Sequence, residues 1–199
     1  MIDSRVREKV QFLFDIPAKL FVLLKISPNT ITAFSFLIGI LSGVFIALSY
    51  PWIAVLLLWL SGFLDVVDGS VARLTKMSSN LGAYLDLVLD RMVEAAVIIG
   101  FAFLSPAHYM AYLLFFVSVI FNFSTVIVAG ALFKNSGSKS MHYESGIAER
   151  TETFIVFTLM ILFSDYLYWI LMIFTIIIFI TGIMRFFKVI KYEKQNKNT

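Results

Sequence analysis

The chain has 199 residues, of which 60% are apolar and only 15% charged, with a net charge of +3 and a mean hydropathy of +0.90. Soluble domains carry about a quarter charged residues, so this composition describes a membrane protein and excludes disordered, collagen-like and disulfide-stapled chains. No cysteine is present, which removes thiol catalysis and thiolate metal binding.

Residues 5–25, RVREKVQFLFDIPAKLFVLLK, mix apolar side chains with five basic ones around Pro17. That is the pattern of an amphipathic helix lying in the cytoplasmic membrane interface. A cleaved signal peptide fits less well, because Arg, Lys and Asp interrupt the apolar run and no small-residue cleavage site precedes Lys25. Six apolar runs follow, at about 31–49, 52–73, 82–104, 107–133, 147–163 and 166–187, near the ~20 residues that cross hydrocarbon. Tyr50-Pro51, Ser105-Pro106 and Ser164-Asp165 mark tight reversals on one side, and the opposite connections are longer and polar. Residues 188–199 read as a flexible, solvated tail. The expected fold is one all-α integral membrane domain over 1–199, with six transmembrane helices and an N-terminal interfacial amphipathic helix.

Of the 16 Lys and Arg residues, only Arg91 lies well inside a span, and the tight reversals hold none. The positive-inside rule therefore makes both termini and the long connections cytoplasmic in a multi-pass cell-membrane protein. Tyr50, Trp52, Tyr166, Tyr168 and Trp169 gather at the other face as an aromatic belt. The basic residues report topology and contact with anionic lipid, and no nucleic-acid partner is expected.

Spans 2 and 3 carry charge that hydrocarbon disfavours. At ~1.5 Å per residue, Asp65 lies roughly 20 Å along a core about 30 Å thick, and Asp68 a turn further. Asp86, Asp90 and Glu94 lie about 6, 12 and 18 Å in from the cytoplasm by the same rise. At ~100° per residue, Asp65, Asp68, Gly69, Ala72 and Arg73 fill an arc of roughly 140°, and Gly82, Asp86 and Asp90 one of roughly 80°. The two stripes can face each other at one depth. Four carboxylates there require positive charge between them, and a set of oxygen ligands suits hard cations, Mg²⁺ or Mn²⁺. Ion pairs of Asp65 and Asp68 with Arg73, and of Asp86 and Asp90 with Arg91, are the structural alternative. Intramembrane ionisable residues favour the functional reading.

The segment reads Asp65-x2-Asp68-Gly69-x2-Ala72-Arg73-x8-Gly82-x3-Asp86-x3-Asp90. It resembles, without departure, the signature of the CDP-alcohol phosphatidyltransferase family, whose members act in phospholipid biosynthesis. The resemblance implies six spans with an interfacial N-terminal helix, a cytoplasm-facing site and a homodimer. It implies that Asp65, Asp68, Asp86 and Asp90 hold two divalent metal ions, Mg²⁺ or Mn²⁺, with Asp65 and Asp86 shared between them. Asp90 would also be the general base, taking a proton from the hydroxyl of a polar alcohol. That oxygen would attack the lipid-side phosphorus of a CDP-activated lipid, CDP-diacylglycerol or CDP-archaeol, and expel CMP. The CDP-lipid would be held by Gly69, Ala72, Arg73, Ser79 and Gly82, with Pro28, Asn29, Thr30 and Ile31 of a P-N-x-x-T-like element before span 1.

For the acceptor, Ser145-Gly-Ile-Ala-Glu-Arg150-Thr-Glu152 resembles the G-x-x-E-R-x-E-R element of the branch that uses inositol phosphate, with Thr153 in place of the second Arg. Lys134, Arg150 and Arg185 would then hold the acceptor's phosphate. Glycerol 3-phosphate and serine are alternative acceptors. A divalent-cation transporter is the alternative of another class, but no inverted repeat or matched pair of Gly/Pro-broken spans is visible. Gly62-Phe-Leu-Asp65 resembles the G-x-G-D of intramembrane aspartyl proteases only in part, lacking the second Gly. His108 and His142 read as loop residues, and Asn122 as a hydrogen bond to another helix.

Overall fold

The computed structural model describes residues 14–132 and 150–197, and every regular element there is helical. Helix α1 covers residues 14–23, α2 Pro28–Ala47, α3 Pro51–Leu74, α4 Asn80–Leu104, α5 Tyr109–Leu132, α6 Arg150–Leu162 and α7 Leu167–Lys197. Short 3-10 turns at Pro106–His108 and Ser164–Tyr166 make two of the expected reversals.

Local chemistry sets these limits. Ser27 caps α2 by accepting the Thr30 N–H at 3.2 Å, with Pro28 in the first turn, and Ser79 caps α4 by accepting the Gly82 N–H at 3.0 Å. Helices α1, α2 and α3 end alike. Lys25, Ser49 and Lys76 take left-handed backbone with φ of 55°, 63° and 55°. The next N–H in each case reaches back to a carbonyl of the last turns, Ile26 to Phe21, Tyr50 to Phe45 and Met77 to Ala72. Glycine would adopt this backbone with less strain, but Lys25 and Lys76 set positive charge against the negative end of a helix dipole.

Helix α2 packs along both α3 and α4. Lipid gives helices no hydrophobic reason to associate, so close packing and polar contacts must do it. A Cβ on Gly100 would overlap the Gly43 carbonyl, one on Gly43 would overlap the Ala96 carbonyl, and one on Gly39 would lie 2.6 Å from a Val93 methyl. The α2 and α4 backbones thus touch. Between α2 and α3, Ser35 donates to the Ser61 carbonyl at 2.8 Å and Ser42 to the Ala54 carbonyl at 2.9 Å. Two helices that bear the acidic stripes are thereby braced on one common helix.

The rest of the bundle closes the side and the far end. Helix α5 packs on α7, where Phe121 lies 5.4 Å from the Phe179 ring and Gly182 admits both Phe121 and the Asn122 backbone. Helix α6 fits between α3 and α7, with Phe154 against Gly62 and the Trp59 indole N–H donating to Thr158 at 2.9 Å. Phe101, Phe115, Phe157, Met160, Leu171 and Phe174 fill the core between these helices. A separate small core of Ala18, Ile31, Val67 and Val71 pins α1 to α2 and α3. On α1's opposite side Ile16, Leu20, Leu23 and Leu24 are exposed, leaving an apolar face for the membrane interface.

Four helices are long and apolar enough to cross a membrane: Pro28–Ala47, Pro51–Leu74, Pro106–Leu132 and Ser164–Lys194. Helix α4 is as long but carries Asp86, Asp90, Arg91 and Glu94, and α6 is described over 13 residues only. Residues 5–13 of the expected interfacial helix and 147–149 of the fifth expected span lie outside the described residues. The segment from 188 continues α7 as helix to Lys197, because Lys188-Val-Ile-Lys191-Tyr-Glu-Lys holds good helix formers and no Gly or Pro to stop it.

Candidate active site

Asp65 on α3 and Asp86 and Asp90 on α4 each bring one carboxylate oxygen to within 4.8 Å of the others. The spacing explains it. Asp86 and Asp90 are one turn apart and share a face of α4, while α3, braced by the same α2, turns Asp65 toward them. The donor set is all oxygen and negatively charged, which fits a hard divalent cation and no softer metal. Oxygens on opposite sides of one Mg²⁺ lie about 4 Å apart, so small side-chain rotations close the group around an ion.

Asp68, the fourth expected acid, lies a turn further along α3 and is buried. Thr32 on α2 donates its hydroxyl to Asp68 Oδ2 at 2.5 Å, while that hydroxyl also lies 3.1 Å from the Pro28 carbonyl. One proton cannot serve both fully, and the charged acceptor takes the stronger bond. Thr32 was missed in the sequence as a site residue although it is the threonine of the P-N-x-x-T-like element. Its signal was that final position of the element, and its partner is 36 residues away.

The expected nucleotide-binding residues gather at the same end. A Cβ on Gly82 would stand 3.4 Å from both Asn29 Oδ1 and Ser79 Oγ, so these three residues adjoin. Arg73 donates to Ser70 Oγ at 2.9 Å and passes over Gly69, where a Cβ would meet its Nη1 at 3.4 Å. Asn29, Thr30, Arg73 and Ser79 are exposed and Ala72 is half-buried. Pro28 and Ile31 are buried, and the Ile31 side chain packs against Ala18, Val67 and Val71. Ile31 therefore belongs to the core that anchors α1, where a substrate cannot reach its side chain.

Of the expected acceptor residues, Lys134 lies outside the described residues, as does the side chain of Arg150, whose backbone opens α6. Arg185 is half-buried on α7, and its Nη1 donates to Asn122 Oδ1 at 2.9 Å. The expected hydrogen bond of Asn122 to another helix is thus made, and its partner is a residue expected in the site. His108 lies in the Pro106–His108 turn, 5.4 Å from the Tyr168 ring, while His142 lies outside the described residues.

Of the cations in the alternative ion pairing, Arg91 pairs with Glu94 at 2.7 Å. Arg73 donates to the Ser70 hydroxyl at 2.9 Å.

Residues 25–181 match the sequence model of the CDP-alcohol phosphatidyltransferase family. The chain is 30% identical over 162 residues to an archaetidylinositol phosphate synthase of Pyrococcus horikoshii, covering 81% of this chain and 82% of that protein. It is also 30% identical to the inner membrane protein YnjF of Escherichia coli, covering 82% of each. Among solved structures, phosphatidylinositol phosphate synthase of Mycobacterium tuberculosis with CDP-DAG bound matches with a TM-score of 0.76 at 18% identity, covering 88% of this chain and 92% of that one. The same enzyme in complex with manganese and citrate matches equally well, covering 88% of each chain.

Proposed function

Because the chain belongs to the CDP-alcohol phosphatidyltransferase family, we propose that it transfers a phosphatidyl-type group from a CDP-activated lipid to inositol 1-phosphate and releases CMP. The observation that carries this is the convergence of Asp65, Asp86 and Asp90, one turn along α4 from Gly82, which adjoins Asn29 and Ser79. Asp65, Asp68, Asp86 and Asp90 would hold two divalent ions, Mg²⁺ or Mn²⁺, and the manganese in the complex of the structural neighbour supports a divalent metal there. Such metals, when bound, neutralise the pyrophosphate and the charge that develops on departing CMP.

The protein's own residues do the rest. Thr32 fixes one oxygen of Asp68 so that the other stays oriented toward the site. Asn29, Ser79, Arg73 and the small surfaces of Gly69 and Gly82 seat the CDP group, the arginine as a charged fork on phosphate. Asp90 accepts the proton of the acceptor hydroxyl as its oxygen attacks the lipid-side phosphorus and the phosphorus–oxygen bond to CMP breaks. Neither a nucleophilic side chain nor a covalent enzyme intermediate is needed, because positioning and electrostatics carry phosphoryl transfer.

Arg185, with Lys134 and Arg150, receives the phosphate of the acceptor. The names of the relatives, archaetidylinositol phosphate synthase and, at 34% identity over 100 residues, phosphatidylinositol phosphate synthase of Corynebacterium glutamicum, support this acceptor. The same reading gives six spans, α2 to α7, with both termini and the site on the cytoplasmic side of the cell membrane, and a homodimer. Helices α4 and α6 cross despite their charge or described length because α4 turns its acids toward α3 and α6 is backed by α3 and α7. The test is CMP release by purified protein with CDP-diacylglycerol or CDP-archaeol, Mn²⁺ and a panel of inositol 1-phosphate, glycerol 3-phosphate, serine and inositol. Release with inositol 1-phosphate alone supports the assignment, and release with another alcohol alone reassigns the acceptor.

A further inference from the structure

Ser70 lies inside α3, about one turn before its C-terminal end, and is 1% exposed. It stands next to Val71 and one turn from Val67, both fully buried. Serine is a weak helix former, and a buried hydroxyl costs free energy unless it is hydrogen-bonded. Its partner is a long side chain from further along the same helix: Arg73 Nη2 donates to Ser70 Oγ at 2.9 Å. The same guanidinium passes over Gly69, where a Cβ would meet Nη1 at 3.4 Å. One prong of the fork is thus tied to Ser70 and the other lies over bare backbone, although Arg73 as a whole is exposed.

The direction of this hold matters. Asp65, Gly69 and Arg73 follow one another at steps of four residues and form one row along α3. Helical side chains lean toward the N-terminus of their own helix, and the contact over Gly69 shows Arg73 doing so. Its Nη1 therefore lies about one turn, ~6 Å, along the row from Asp65, which converges with Asp86 and Asp90. An anion that reaches both a cation at those acids and Arg73 lies over Gly69, where no side chain blocks it. An arginine that is loose in the free protein loses rotamer freedom when such a ligand binds. The Ser70 bond fixes the fork beforehand.

We propose that Ser70 is a positioning residue that holds the Arg73 guanidinium over Gly69 in advance of the ligand, aimed at the diphosphate of the CDP-activated lipid. The proposal rests on the phosphate role given to Arg73 above, and it adds the residue through which this chain fixes that arginine. Ser70 acts through Arg73 and does not itself touch the substrate. It occupies a position that the Asp-Gly-x2-Ala-Arg pattern leaves open.

The test is a double-mutant cycle on the affinity for CDP, measured by isothermal titration of full-length protein in nanodiscs at saturating Mn²⁺. The proteins are wild type, Ser70→Ala, Arg73→Gln and the double variant, with melting temperature followed in parallel. Arg73→Gln is expected to weaken CDP binding about tenfold or more, the loss of a charge-assisted hydrogen bond. Ser70→Ala should weaken it about fivefold, within the range for fixing one rotamer-rich side chain. In the Arg73→Gln background, Ser70→Ala should change the affinity by less than about twofold, because its action runs through the guanidinium. A serine that only stabilised the fold would lower the melting temperature alone, or weaken CDP binding equally in both backgrounds, and either result overturns the proposal. So does Ser70→Ala protein that binds CDP like wild type while Arg73→Gln does not. If Arg73→Gln also binds like wild type, or wild type binds no CDP, the underlying reading fails and the proposal with it, a result distinct from the preceding one.

Discussion

Thr32→Val replaces one hydroxyl of the site's supporting structure by a methyl group and changes little else. The two side chains have nearly the same shape, so packing between α2 and α3 is preserved and no cavity opens. What is lost is the donation to Asp68 Oδ2 at 2.5 Å, between residues that are 6% and 7% exposed. A hydrogen bond to a charged group contributes about 1.5–3 kcal/mol, which corresponds to roughly 10- to 150-fold in an equilibrium or rate constant. Outer-shell partners of metal ligands cost about the same range when replaced. Thr32→Val should therefore lower kcat/KM for CMP release by about 10-fold or more and raise the Mn²⁺ concentration needed for half-activation, while Thr32→Ser retains most of the activity. The assay is CMP release with Mn²⁺ varied from limiting to saturating. A Thr32→Val protein within twofold of wild type at every metal concentration would refute the role given to this hydroxyl.

Other expectations follow from the same geometry. Gly100→Ala places a methyl group on the Gly43 carbonyl, and over-packing of this kind costs about 1–3 kcal/mol; its melting temperature should fall, while Gly130→Ala, with nothing within 4 Å of the new methyl, should melt like wild type. Asn122→Leu removes the acceptor of the Arg185 guanidinium, so KM for inositol 1-phosphate should rise roughly fivefold, the effect of about 1 kcal/mol, with KM for the CDP-lipid unchanged. A rise in both constants would place Arg185 elsewhere. Chelation of divalent ions should abolish CMP release, and added Mn²⁺ or Mg²⁺ should restore it.

The sequence made the acidic stripes legible because a helix converts fixed spacing into a shared face. Asp65, Asp86 and Asp90 needed only the assumption that α3 and α4 face each other. The helix limits followed from Ser27-Pro28, Pro51 and Ser79, residues whose capping chemistry is local. What depended on tertiary contact was not legible. Thr32 meets Asp68 across two helices, and only the backing of α3 against α2 brings them together. Ile31 sits in an element that reads as ligand-binding, yet its position on α2 turns it into the core under α1. The pairing of Arg91 with Glu94, three residues on along α4, is likewise a contact that the spacing of the acids did not single out. The helical course of α7 to Lys197 was not legible, because a polar, charged segment is compatible with both helix and coil, and a helix already formed over many turns extends at little entropic cost.

The most direct measurement of the central claim is CMP release by wild type and Asp90→Asn protein, given a CDP-lipid, Mn²⁺ and inositol 1-phosphate. Asn keeps the shape of the side chain but cannot take the proton, and it weakens the oxygen cluster of Asp65, Asp86 and Asp90. The account predicts that wild type releases CMP only when metal and alcohol are both present, and that Asp90→Asn loses at least about 100-fold, the low end for removal of a general base. Full activity in Asp90→Asn, or no release by wild type with any alcohol, would contradict it.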